Sequence, residues 1–320
     1  MNVRILLLIL FLSTFLLVSR SAADELEDLI QIYGSLRPEA IARHPEGGEG
    51  IRRMDDGYSR VGLKGTADLT GKLTGFYKYE RRVSANDGQS DGAVRGDNNE
   101  LRQVHVGLSG EFGSVSIGRH YGLYYDYIDD ELDRHRSHYS DAIIYSDLFV
   151  SNAVVYRSPV DKGFSVGVLV ELNDADGQGN SIDERVEFAG TFQQGGFSVH
   201  GGSVKSPAHD GLIGAAASYQ FGTITATGVY QKFDRSATVE NTLLSGALDV
   251  DVSPINRVRL SVTSNKEKNS PDLDEIYIIV GVDHRFSDQF LAFIEYFKKS
   301  TEVAQASDES AWVFGFRFDF

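Results

Sequence analysis

The sequence predicts an all-β protein, a transmembrane antiparallel β-barrel of about 16 strands. Three observations carry that prediction. Apolar residues recur at every second position in run after run; the connectors alternate between short turns and longer charged loops; and an alternating aromatic segment leads to Phe320. A period of two gives each strand one apolar and one polar face. A closed ring of such strands pairs every backbone donor and acceptor, so it can cross lipid with no open edge.

The first element is a leader. Arg4 precedes an apolar stretch from Ile5 to Val18, followed by Ser21, Ala22 and Ala23. Residues 1–23 are expected to be a secretory signal peptide, with the barrel domain over 24–320. The apolar run of 14 residues is short for a helical span, which takes about 20. Losing Arg4 and Arg20 with the leader would leave 29 Lys and Arg against 46 Asp and Glu. Nucleic acid is no partner for so acidic a chain, because phosphate binding needs basic clusters. The absence of cysteine removes disulfides and thiolate metal sites.

The strands follow. Phe164, Val166, Val168, Val170 and Leu172 alternate with Ser165, Gly167, Leu169 and Glu171; Ile213, Ala215, Ala217, Tyr219 and Phe221 alternate with Gly214, Ala216, Ser218 and Gln220. Val258, Leu260 and Val262 face away from Arg257, Arg259, Ser261 and Thr263. Ile276, Ile278, Val280 and Val282 face away from Glu275, Tyr277 and Asp283. Short connectors (DKG at 161–163, GG at 195–196, FSDQ at 286–289) alternate with charged ones (NDADGQGNSID at 173–183, NKEKNSPDLDE at 265–275). That rhythm belongs to a meander whose two ends face different compartments. In AWVFGFRFDF, Trp312, Phe314, Phe316, Phe318 and Phe320 share one face and Arg317 and Asp319 the other. On a soluble sandwich this face would meet a second layer; on a barrel it meets lipid and headgroups.

Four stretches resemble the trimeric general porins of Gram-negative outer membranes: YSRVGLKGTADLTGKLTGFYKYE (58–80), LRQVHVGLSGEFGSVSIGRHYGLYYD (101–126), GVDHRFS (281–287) and the closing FRFDF. The resemblance implies a sixteen-stranded barrel, a homotrimer, and a third loop folded inward as a constriction. It implies passive diffusion of small hydrophilic solutes and ions, and residence in outer-membrane lipid and lipopolysaccharide. It also implies recognition by the barrel-assembly machinery, through Phe320, Phe318 and Phe316. The Gly-rich stretch at 84–99 stands where family members latch onto a neighbour.

Site residues carry over by position. Arg60 in SRVGLKG and Arg102 in LRQVHVG match the family's basic wall; Arg37 lies two places past the usual position, here Ser35, and Lys78 shares the lumen parity of its strand with Glu80. Facing them are the loop acids Asp126, Asp129, Asp130, Glu131 and Asp133, while Arg257, Arg259 and Arg317 take lumen positions elsewhere. Opposed charges in a narrow passage set up a transverse field that aligns polar solutes and disfavours large apolar ones. Two departures leave charge preference open. DDELDRHRSHYSD replaces the family's PEFGG-like loop tip, with Arg134, His135, Arg136 and His138 just after the acids. The sixth strand offers Ser151 and Asn152 where a base is expected. The acidic total leans the reading towards cations.

Other classes are weighed on the same residues. Tyr121, Tyr124, Tyr125, Tyr127 and Tyr139 offer a stacking path for sugars, hence a channel selective for oligosaccharide, organic acid or phosphate; loop anchoring is the plainer use of such rings. Asp133, His135 and His138 form a conceivable metal set, though solvated loop charges are the plainer reading, and no cofactor or metal is expected. An enzyme is not expected either, since no GxSxG or HExxH run occurs. A structural or adhesive barrel would conduct nothing.

Overall fold

The computed structural model describes residues 28–85, 101–172, 185–206, 209–236, 239–268, 274–301 and 308–320. The expected leader and most of the Gly-rich stretch at 84–99 lie outside them. One antiparallel sheet contains β1 (Gln31–Leu36), β2 (Pro38–Pro45), β3 (Ile51–Asp56), β4 (Arg60–Asp68), β5 (Leu73–Arg82), β6 (Leu101–Gly110), β7 (Gly113–Tyr121), β8 (Phe149–Arg157) and β9 (Phe164–Glu171). It continues through β10 (Val186–Gln194), β11 (Phe197–Ser206), β12 (His209–Phe221), β13 (Ile224–Ser236), β14 (Val239–Ser253), β15 (Asn256–Glu267), β16 (Glu275–Arg285), β17 (Phe290–Thr301) and β18 (Glu309–Asp319).

These eighteen segments are sixteen barrel strands. β1 and β2 continue each other through Arg37: β1 pairs with β4 and β18, and β2 with β3 and β18. β3 and β4 are likewise one strand, interrupted at Gly57–Ser59, where Tyr58 takes a left-handed φ of 67°. Side-chain caps hold the break: Ser59 Oγ accepts from the Arg37 N–H (2.7 Å) and Asp56 accepts from the Ser59 N–H (2.9 Å). Every other strand pairs with its sequence neighbours, so the ring closes where β18 meets the first strand.

That seam uses the last residue. The Phe320 N–H donates to Gly34 O (3.1 Å) and Phe320 O accepts from the Gly34 N–H (2.9 Å). A Cβ on Gly34 would stand 2.4 Å from the Phe320 ring, so glycine is what lets the terminal aromatic lie across the joint. Phe316, Phe318 and Phe320 are all exposed on the outer face, as the alternation demands. Among the described residues no helix is long and apolar enough to cross a membrane; the crossing is made by strands with outward Val, Ile, Leu, Phe and Tyr.

The inner face is of two kinds. Residues 122–148, between β7 and β8, fold into the barrel as the helix α1 (Leu123–Tyr127) and two short 3-10 turns at Asp129–Glu131 and His138–Ile143. Tyr124, Ile128, Leu132, Tyr139 and Ile143 pack on Leu212, Val229, Leu243, Ile279, Phe293, Phe297 and Val313, all of which sit on the lumen side of their strands. Leu123 packs with Leu169, Val155 and Ala189 in a second cluster. Close approach depends on bare backbone: a Cβ on Gly214 would lie 2.1 Å from the Tyr124 hydroxyl.

Candidate functional site

Polar anchors fix the loop to the late-strand wall. Glu187, fully buried on β10, accepts the Tyr124 N–H (2.8 Å) at the start of α1 and is itself held by Arg185 (2.5 Å). Glu295 on β17, 1 % exposed, accepts the N–H groups of Arg136 (2.6 Å) and Ser137 (2.9 Å), with His135 at 3.7 Å. Arg134 binds Asp249 (2.6 Å), Arg136 binds Asp283 (3.1 Å), and His138 binds Glu39. The basic residues that left the loop's character open in the sequence are therefore bound to acids of the wall. Asp126, Asp130, Asp133 and Asp141 face the remaining space, and His135 and Arg136 line it beside them despite their wall partners.

That space is a cavity of about 380 Å³ between the loop and the early strands. Arg37, Arg60, Arg102 and Arg317 line its wall side; Asp126, Asp130, Asp133 and Asp141 line its loop side, together with His135 and Arg136. Arg60 lies 3.9 Å from Glu80, and Arg37 donates to Ser35 Oγ (2.8 Å). Arg102 reaches the lumen through a register shift. Glu80 pairs with Gln103 and Arg81 with Leu101, so Arg102 is the extra residue of a bulge. Without it, Arg102 would share the outward parity of Val104, Val106 and Leu108. Its guanidinium donates to Glu80 (2.7 Å) and to the Tyr121 hydroxyl.

Several expected residues are placed differently. Glu80, read as a lumen residue, is 2 % exposed and serves as the shared counter-ion of Arg102, Arg60 and Lys78, the last at 3.9 Å. Lys78 stands beside this group and not on the cavity wall. Asp129 was expected among the loop acids but is fully buried, accepting from Gln231 (2.5 Å) and Ser146. The turn geometry aims it at the wall. Glu131 also turns away, to Arg134 (2.8 Å) and His200 (3.5 Å). Arg259 is buried against Asp283 (2.5 Å), and Arg257 binds Asp251 (2.6 Å) near the short-turn end. Arg317, expected only as a lumen residue, lines the narrow cavity and pairs with Asp319 (2.8 Å).

Sequence reasoning missed Arg136, Asp141 and Tyr58 as lining residues. Only tertiary packing fixes which loop residues face water, though the GYSR segment flags a break at Tyr58. At Ser151, where a base was expected, Arg119 of β7 donates to the hydroxyl (2.6 Å), but neither residue lines the narrow cavity. Asp133, His135 and His138 bind three separate sets of partners, and among the described residues no three ligand groups converge on a metal position.

Two loop acids are shifted by their surroundings. Asp130 points into the cavity, but enclosure within the barrel, followed by the charges of Asp133, Asp126 and Glu131, pushes its carboxyl up to about 6. Burial also raises Asp126, and its ion pair with Arg157 opposes this only in part.

A closed sixteen-stranded ring with an apolar exterior, an inward loop and opposed charges across a polar gap is a transmembrane β-barrel of outer-membrane type. The profile of the family described as Gram-negative porin matches residues 14–302, and the chain belongs to that family. Its site is accordingly the outer membrane. It is 26 % identical over 200 residues to the outer membrane porin protein OmpD of Citrobacter koseri, covering 59 % of this chain and 54 % of that one. It is 25 % identical over 213 residues to the putative outer membrane porin protein NmpC of Escherichia coli, covering 66 % and 52 %. The chain thus spans about half the length of these curated relatives. Among solved structures, an anion-selective porin from Comamonas acidovorans superposes with a TM-score of 0.76 at 18 % identity, covering 91 % of this chain and 99 % of that one. The Salmonella typhi OmpF complex with daunomycin gives 0.70 at 18 % identity, covering 90 % and 97 %. At these identities the two structures speak for the fold alone.

Proposed function

We propose that the chain forms a water-filled channel for passive diffusion of small hydrophilic solutes and ions, narrowed by residues 122–148. The observation that carries this reading is the facing of Arg37, Arg60, Arg102 and Arg317 against Asp126, Asp130, Asp133 and Asp141 across one cavity. Small polar solutes align in such a field, and the gap between loop and wall limits size. No catalysis is part of this reading, which rests on the field between the two sets of charges. The constriction is nearly balanced in charge, unlike the chain as a whole with its formal −15. Of the five tyrosines only Tyr121 and Tyr125 line the narrow cavity, while Tyr124 and Tyr139 are buried as loop anchors, which favours a general pore over a sugar-selective one.

The reading extends to assembly. Removal of residues 1–23 on export, recognition of Phe316, Phe318 and Phe320 by the barrel-assembly machinery, contact with lipopolysaccharide and association as a homotrimer complete it. Reconstitution in a planar bilayer under a salt gradient tests it. Stepwise conductance in threes and a small zero-current potential are expected; a purified, folded protein that conducts nothing would defeat the proposal.

A further inference from the structure

A second cavity, of about 500 Å³, opens at the short-turn end of the barrel, where the β14–β15 turn meets β16 and β17. Its lining brings three guanidiniums, those of Arg257, Arg259 and Arg285, against only two carboxylates, those of Asp251 and Asp283. Arg259 is buried and bound by Asp283 (2.5 Å) and more distantly by Asp249 (3.8 Å). Arg257 binds Asp251 through Nε and Nη2 (2.6 and 2.9 Å) while 40 % of its side chain still meets water. Arg285 is exposed, and it makes no ion pair within 4 Å among the described residues, although Asp251 is near enough to feel its charge. Leu291 gives the cavity an apolar side.

The sheet register links this cavity to the narrow one. Arg285 stands opposite Leu291, Leu291 stands opposite Arg317, and Arg317 lines the narrow cavity beside Arg37 and Arg60. Neighbouring strands lie about 4.8 Å apart, so the backbone positions that carry Arg285 and Arg317 are about 10 Å apart along the wall.

We propose that the mouth cavity is a docking subsite for small organic anions, a carboxylate or phosphate on a partly apolar body, which then move along Arg317 to the arginines of the narrow passage. This inference rests on the pore reading. Guanidinium forks match carboxylate and phosphate geometry, and Leu291 offers a surface for a short carbon chain. Asp251 and Asp283 keep two of the arginines ordered and cancel most of their charge. Binding is thereby held weak enough for release, as conduction demands.

The test is block of KCl current by glutarate, a dicarboxylate with an apolar spacer, added to one side of the reconstituted protein, with inorganic phosphate as the second arm. Glutarate is expected to block saturably and at least fivefold more potently from the short-turn side. Arg285→Ala is expected to raise its half-effect concentration about tenfold, as loss of a charge-assisted contact does. Phosphate matching glutarate would show that the anionic group alone is read; weaker phosphate would assign the subsite to organic acids. Equal potency from both sides, or an unchanged half-effect in Arg285→Ala, overturns the proposal. NMR line broadening of glutarate by detergent-solubilised protein, lost in Arg285→Ala, serves if the variant inserts poorly; broadening that persists counts against the subsite. KCl current without glutarate block defeats this inference alone, whereas absence of KCl current defeats the pore reading.

Discussion

The inner walls built by β4–β7 and by β10–β18 share one exterior and differ in how much apolar surface faces inward. Outside, both present apolar rows: Val106 is 63 % exposed on the first and Ile213 52 % on the second. Inside, the early wall carries Arg60, Lys64, Lys78 and Arg102, and the late wall sets Val229, Leu243, Ile279, Phe293, Phe297 and Val313 among the acids Glu187, Asp249, Asp283 and Glu295 that anchor the loop. The difference is the loop. On the late wall residues 122–148 replace water, and each large apolar side chain so covered gains about 1.5–3 kcal/mol over an exposed one. The early wall stays wet, and there charge is stable because water and opposed charges are at hand. Alternation along a strand thus reports the lipid face in both halves, but the lumen face only where nothing folds over it.

The contrast can be broken most severely at Glu295. Glu295→Ala would leave the Arg136 and Ser137 N–H groups without their acceptor and His135 without its acid partner. A cost of about 3–5 kcal/mol is expected, as for removal of one partner of a buried charged pair. Loop release should appear as a larger single-channel conductance and new protease cleavage within 122–148, and an unaltered conductance would mean the loop does not depend on this anchor.

The seam between the walls comes next. Gly34→Val would drive a side chain into the Phe320 ring. Overpacking of this kind costs about 1–3 kcal/mol, to be read as a lower temperature for loss of the folded band on unboiled gels.

Charge on the loop side gives a smaller effect. At a few ångströms in water a unit charge contributes about 1 kcal/mol, a several-fold change in local ion concentration. Asp130→Asn should therefore move the zero-current potential towards anions. The same residue supplies a pH step: above about 6 it is charged, and as pH falls through that value it gains a proton and the passage loses one negative charge. Cation permeability relative to anion should fall between pH 7 and pH 5 in the wild type, and Asp130→Asn should flatten that part of the profile.

The smallest effect sharpens the comparison from outside both walls. Lys72 and Glu111 sit 3.8 Å apart with over four-fifths of each side chain exposed. Lys72→Ala should change stability by no more than about 0.5 kcal/mol in a detergent melt.

The sequence by itself determined the ring. Period-two alternation, the short-and-long rhythm of connectors and the aromatic ending are local properties, since each strand needs one greasy face wherever it lies in the barrel. It also brought Arg37, Arg60 and the acids Asp126, Asp130 and Asp133 to notice through their positions. Only tertiary structure decided that Asp129 and Glu131 turn to the wall, that a bulge swings Arg102 inward, that Glu80 becomes a buried counter-ion, and that Arg136 joins the lining. Those outcomes depend on which wall the loop meets, because a charge finds its partner across 20 to 160 residues of chain, as Arg102 with Glu80 and Ser137 with Glu295 show. The apolar residues on lumen parity, from Leu169 to Val313, were the written trace of that meeting, and they acquire meaning once the loop is seen lying on them.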